Sequence, residues 1–173
     1  MILKLIKYFI LLGSIIILHA SCASNPAGSD GWRVPTFSEM NDDWRATSES
    51  GYFSAEGDFD NNGFQDSAKI LIQKNGNGVQ LLAYMAEGKD SPKVYLLDEL
   101  VGNIYVHSMG VRRVAPGTYQ TACGKGYWDC REDETPEISV ERDMVEFFKY
   151  ESASSFFYWD EEKKGFKRIW MSD

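Results

Sequence analysis

The chain has 173 residues, 26 of them acidic and 18 basic, for a formal charge of −8 and a pI near 4.8. So acidic a surface repels nucleic-acid backbones and anionic lipid headgroups, so no nucleic-acid partner is expected and any partner held mainly by charge should be basic. No period repeats along the sequence, and its length suits one domain with a genuine core behind a short leader.

Residues 1–21 read as a signal peptide. Lys4 and Lys7 supply a positive start, and Tyr8 to Leu18 is an apolar run ending in small residues. That run is shorter than the ~20 residues needed to span a bilayer. Cleavage after Ala20 or Ala23 satisfies the small-residue rule. Leu18-His19-Ala20-Ser21-Cys22 also resembles a bacterial lipobox, departing from it at His19, where an aliphatic residue is usual. The resemblance implies lipidation of Cys22 and contact with a membrane only through that anchor. Either route places the domain in the cell envelope, as a lipoprotein on the periplasmic side or as a soluble periplasmic protein. Without Lys4 and Lys7 the balance is 16 basic against 26 acidic residues, or −10. Residues 22–31 are polar and read as a tether, leaving 32–173 as a single β domain.

Thr36 can cap a short N-terminal helix over Phe37 to Ala46, with Glu39 as its capping-box partner; an irregular, partly helical lead-in is the alternative. Strand patterns follow at Tyr52 to Gly57, Ser67 to Gln73, Val79 to Ala86, Val94 to Leu97 and Ile104 to Val111. They continue at Thr118 to Ala122, Glu137 to Val140, Met144 to Glu151, Ser154 to Asp160 and Phe166 to Met171. Short strands with polar turns, among them Asn75-Gly76-Asn77-Gly78, predict an all-β domain of mainly antiparallel sheet, a sandwich or a curved sheet.

The first turn carries chemistry. Gly57 to Asp66 reads G-D-F-D-N-N-G-F-Q-D and sets Asp58, Asp60, Asn62 and Asp66 at the spacing a hard cation needs, with Gly63 for the sharp bend and the Phe64 carbonyl to complete the set. Lys69 occupies the position where an EF-hand requires its bidentate Glu, so that motif fails. The shorter loop resembles the calcium loop of FG-GAP and VCBS-type repeats, which joins two strands of a sheet, and this implies Ca²⁺ as the ligand. Only one copy is present, which does not support a propeller. The same residues suit a metal-free Asn/Gly turn, but three converging carboxylates repel one another without a cation.

Three cysteines are an odd number. With Cys22 lipidated, Cys123 and Cys130 remain to form a disulfide; a metal site at that pair lacks a second Cys pair or a nearby His. Tyr127 and Trp128 lie at the tip of the bridged loop, as contact residues for a partner, or with Trp128 buried instead. In Phe156-Phe157-Tyr158-Trp159, alternate residues face opposite ways, which reads as a buried strand before a ligand surface. Ser154-Ser155-Phe156-Phe157-Tyr158-Trp159 and Phe166-Lys167-Arg168-Ile169-Trp170-Met171-Ser172-Asp173, together with the acidic loop, resemble a group of exported proteobacterial proteins to which no activity attaches.

Past the leader His107 is the only histidine, in a strand pattern that reads as structural. No G-x-S-x-G elbow, P-loop or dinucleotide fingerprint accompanies it. The run Glu132, Asp133, Glu134 reads as a solvated turn. The expectation is therefore a non-catalytic envelope protein, a binding or inhibitor module such as an immunity protein against a secreted antibacterial effector. The alternative is an envelope hydrolase using carboxylates near the calcium.

Overall fold

The computed structural model describes residues 31–102 and 105–173. The expected signal peptide, the expected tether up to residue 30 and Cys22 lie outside the described residues. Within them the chain forms eleven strands, β1 (Trp32–Arg33), β2 (Ser54–Gly57), β3 (Asp66–Gln73), β4 (Gly78–Met85), β5 (Lys93–Val101), β6 (Met109–Val114), β7 (Gly117–Gln120), β8 (Glu137–Val140), β9 (Met144–Lys149), β10 (Ser154–Asp160) and β11 (Gly165–Ser172). All pairings are antiparallel. Sheet A has the order β1-β3-β4-β5, with β2 sharing the β1 edge of β3; sheet B has the order β11-β10-β9-β6; β7 and β8 form a separate ribbon.

The two sheets face each other over one core. Alternation along the strands sends Ala68, Ile70 and Ile72 of β3 and Val79, Leu81 and Ala83 of β4 inward, where they meet Val111, Val145, Phe147, Phe157 and Trp159 of sheet B. A second, smaller core lies on the other face of sheet B, where Tyr119 and Val140 of the ribbon cover Met144, Phe156 and Met171. The Phe156–Trp159 run therefore packs on the main core through Phe157 and Trp159 and on the smaller core through Phe156 and the partly buried Tyr158.

Local chemistry accounts for the departures from the sequence reading. No α-helix forms over Phe37–Ala46. Glu39 does reach back to the Thr36 N–H at 3.0 Å, as a capping box would, but Asp42 is extended (φ −61°, ψ 135°) and only a five-residue 3-10 helix, Asp43–Thr47, follows. The lead-in is the irregular, partly helical one. The strand expected from Tyr52 starts at Ser54, because Gly51 and Tyr52 both sit at φ +59° in a turn closed by the Phe53 N–H on the Ser50 carbonyl. For a residue as bulky as Tyr52 that backbone costs about 1–2 kcal/mol. The strand expected over Ile104–Val111 begins only at Met109, although Val106 still buries its side chain in the core from the preceding turn. His107 lies in that turn, largely exposed, with Nδ1 3.7 Å from Asp42 Oδ2.

Between β7 and β8 the chain makes a bridged loop, with Cys123 and Cys130 joined in a disulfide. The loop base is fastened by the Ala122 N–H on the Trp170 carbonyl and by Lys125 Nζ on the Met171 carbonyl, both ties to β11. Closing so short a loop restricts the unfolded chain by about 2.5 kcal/mol. Cys123→Ser should lower the melting temperature under oxidising conditions and leave it unchanged in reductant. Equal melting of variant and wild type without reductant would show that the bridge contributes nothing to stability.

Candidate metal centre

The acidic loop spans the β2–β3 turn, and pairing of Gly57 with Asp66 closes its base. Asn61 (φ +60°) and Gly63 (φ +85°) take left-handed conformations that fold the loop back on itself. Its carboxylates are oriented by the loop's own amides. Asp58 accepts from the Asn62 N–H at 3.0 Å and the Gly63 N–H at 2.9 Å; Asp60 accepts from the Asn62 N–H at 3.2 Å. Asp66, 1% exposed, takes the Phe59 N–H on one oxygen and the Ala86 N–H on the other, both at 2.8 Å, which ties the loop to the end of β4.

Asp58, Asp60 and Asp66 each bring one oxygen to within 4.8 Å of the others. Oxygens sharing one Ca²⁺ at 2.3–2.6 Å can be at most about 5 Å apart, so the trio fits around a single ion. Burial raises the Asp66 carboxyl above its ordinary value against the pull of its two amide donors, and the negative charges of Asp60 and Asp58 add to the rise. Asp60 is raised as well, by burial first and then by Asp58 beside it. Like charges held together and partly dried favour a cation.

Asn62 is arranged differently. Asn62 turns its Nδ2 to Asp60 Oδ2 (3.1 Å) and to the Ala86 carbonyl (2.8 Å), while its Oδ1 accepts the Phe64 N–H at 2.8 Å. To ligate a metal bound by the three aspartates, the amide must rotate and give up these bonds. Phe64 leaves its ring 48% exposed at the loop tip. The set therefore brings three of the five together, with Asn62 as a loop brace.

Residues not foreseen in the sequence hold the loop from outside. Arg142, in the β8–β9 turn, donates to the Asp60 carbonyl at 3.0 Å and to Glu161 Oε1 at 2.5 Å. Asp143 accepts the Asp58 N–H at 3.2 Å and pairs with Arg113 at 2.8 Å. Arg142 and Lys164 together hold the Glu161 carboxyl down at about 2. Three turns thus converge on the loop at one end of the sandwich. No sequence spacing links residue 60 with 142 and 161, so only the fold reveals them. Two open depressions flank the loop, of about 350 and 500 Å³.

At the bridged loop Tyr127 is 53% exposed, whereas Trp128 is half-buried and donates its indole N–H to Glu134 at 3.1 Å. Arg131 holds the Glu134 carboxyl down at about 2. The acidic run therefore has one member committed to bracing this loop, and of the two aromatics only Tyr127 stands free as a contact. No family model, curated protein or solved structure matches the chain.

Proposed function

We propose that the protein is an exported, lipid-anchored envelope protein whose Asp58, Asp60 and Asp66 hold one Ca²⁺, and that it acts as a non-catalytic binding module. The convergence of three carboxylates, each braced by backbone amides, carries the metal reading. The ion would fasten the β2–β3 turn against the neighbouring turns and fix one end of the sandwich. Asn62 after rotation, the Phe64 carbonyl and water would fill the remaining positions.

The acidic balance and the small, densely braced domain support a role in blocking a basic partner, such as a secreted antibacterial effector. The hydrolase alternative draws less support. Three carboxylates flanking the loop are engaged in ion pairs, Asp143 with Arg113, Glu161 with Arg142 and Glu87 with Lys93. A general acid or base works best with a value near the operating pH, and Glu161 is held far below it.

Calorimetric titration of the full-length chain with Ca²⁺ tests the metal reading directly, and silence up to millimolar ion sinks it. Anchoring has its own test. Cys22→Ser should move the protein from the membrane fraction to the soluble periplasm, and a wild-type protein that is already soluble would exclude the lipid. Association with a basic partner should weaken steeply as salt rises; a complex indifferent to salt would exclude a charge-driven inhibitor.

A further inference from the structure

A second concave site lies on the outer face of sheet B, at the opposite end from the acidic loop. The loop meets the turns before β9 and after β10, whereas this site adjoins the turn between them, residues 150–153. Strand register aligns Gly110, Phe148, Ser154 and Ser172 across the face, with Arg112 opposite Glu146 in the next row. The ribbon covers the remainder of the face. A Cβ on Gly110 would lie 2.3 Å from the Phe148 ring, so that ring lies flat on the strand backbone and becomes the floor.

Trp44 of the 3-10 helix forms the wall. Its ring stacks on Tyr150 (centroids 4.7 Å, 12° between planes) and on Tyr52 (5.4 Å, 28°), and meets Phe148 edge-on at 5.8 Å. The enclosed space is about 470 Å³, within the ~300–1,000 Å³ range of small-ligand pockets. Tyr52 reaches this wall from the strained left-handed backbone that glycine would occupy without cost. Strain of that kind persists where the surroundings over-determine it, here through Thr47 Oγ1 3.1 Å from the Tyr52 hydroxyl and the Trp44 and Phe148 rings.

The polar groups select the ligand. Glu146, 6% exposed, is neutralised by Arg112 Nε at 2.5 Å, and the rim carries one further residue of each sign, Lys149 and Glu151. The charges balance, which favours a neutral guest. A cation is disfavoured because Trp44 already carries the Arg45 guanidinium 4.1 Å from its ring, and Glu146 is paired. A peptide that adds as a β-strand needs a free sheet edge for its main-chain bonds, and this site lies on a sheet face. A ring with one apolar face and a hydroxyl edge fits: Tyr150, 42% exposed, offers the apolar platform, and the Ser154 and Ser172 hydroxyls, 3.1 Å apart with Ser172 donating to the Ser152 carbonyl, keep lone pairs that accept from a hydroxyl.

We propose that this groove binds a neutral glycan, a pyranose ring laid on Tyr150 with its hydroxyls turned to Ser154, Ser172 and the Arg112–Glu146 pair. The inference is independent of the calcium reading, so the test is run in chelator. The full-length chain is titrated with cellotetraose, chitotetraose and maltotetraose to millimolar concentration, following tryptophan fluorescence and heat. At least one should give saturable binding. Tyr150→Ala should weaken it by about tenfold or more and Ser154→Ala less, while Tyr150→Phe should bind as wild type, each variant keeping a cooperative melt, lowered in Tyr150→Ala by the lost stacking on Trp44. No saturable response from any of the three sugars overturns the proposal. So does a sugar response that survives in both Tyr150→Ala and Ser154→Ala, since it would arise elsewhere.

Discussion

Arg45→Ala should cost about 3–5 kcal/mol, a large part of the 5–15 kcal/mol that holds a typical domain together. Arg45 is 2% exposed, and its guanidinium donates to the carbonyls of Gly51 (3.0 Å), His107 (3.0 Å) and Met109 (2.9 Å). It also lies over the Phe53 ring at 4.7 Å, with Asp42 Oδ2 3.4 Å from Nε. Burial pushes its pKa below its ordinary value, yet a guanidinium stays charged throughout the working range. The side chain thus joins the 3-10 helix, the Ser48–Phe53 turns and the entry to β6. Its loss strands two buried carbonyls and the part-buried one of His107, and alanine has nothing to offer them. Arg45→Lys keeps the charge but not the planar fork, so it should recover only a minority of the loss. Urea unfolding of both variants reads this out. A loss below about 1 kcal/mol for Arg45→Ala would mean that water satisfies the three carbonyls and that the residue is no joint.

Arg45 also marks where the sequence stops being informative. An arginine between Trp44 and Ala46 reads as a solvated helix residue, because the acceptors that bury it come from residues 51, 107 and 109. What is set locally could be read. Ser154–Asp160 and Glu137–Val140 form as strands with the expected bounds, since alternation and the flanking turns are written in adjacent residues. The Cys123–Cys130 bridge follows from counting and from a loop that can close. Ile104–Val111 misled because an apolar run suits a strand and a buried turn equally, and Val106 takes the second option. β5 runs from Lys93 to Val101, well beyond the apolar stretch that announced it; as an edge strand it exposes alternate residues, and the charged ones hide its length. At the acidic loop the spacing identified the three carboxylates that converge, but not the direction of Asn62, which the Ala86 carbonyl decides.

That loop sets the second large effect. With one Ca²⁺ held by Asp58, Asp60 and Asp66, affinity should fall at about 10⁻⁴ to 10⁻⁶ M, the range of extracellular modules and weaker sensors. Calcium at a hundred times the dissociation constant should then stabilise the fold by about 2.7 kcal/mol, near 10 °C in melting temperature for a domain of this size. Magnesium should compete poorly, because it demands a smaller octahedron and keeps its water. Two variants separate the metal from the scaffold. The Asp60 carboxylate accepts hydrogen bonds within the loop, from Asn62 and its own backbone, so Asp60→Ala should abolish the calcium increment and leave the chelated protein about as stable as before, or slightly more so as repulsion with Asp58 is relieved. Asp66→Ala should abolish the increment and also destabilise the chelated protein, because the Phe59 and Ala86 amides lose their acceptor. Acid provides the third axis. Asp60 and Asp66 are raised in the folded protein, so without metal their protonation on acidification favours the fold; with metal the same protonation expels the ion, and the calcium increment shrinks as pH falls through those raised values. Glu39, Glu134 and Glu161 run the other way. Each is held at about 2 by a cationic partner, so their small, solvent-screened contribution is complete above the ordinary 4.5 and is lost as pH falls toward 2. The difference between melting curves with calcium and with chelator should therefore collapse first on acidification, before the chelated protein itself weakens. A calcium increment that persists unchanged until global acid unfolding, or that survives Asp60→Ala, would place the ion elsewhere and leave the loop a turn braced by its own amides.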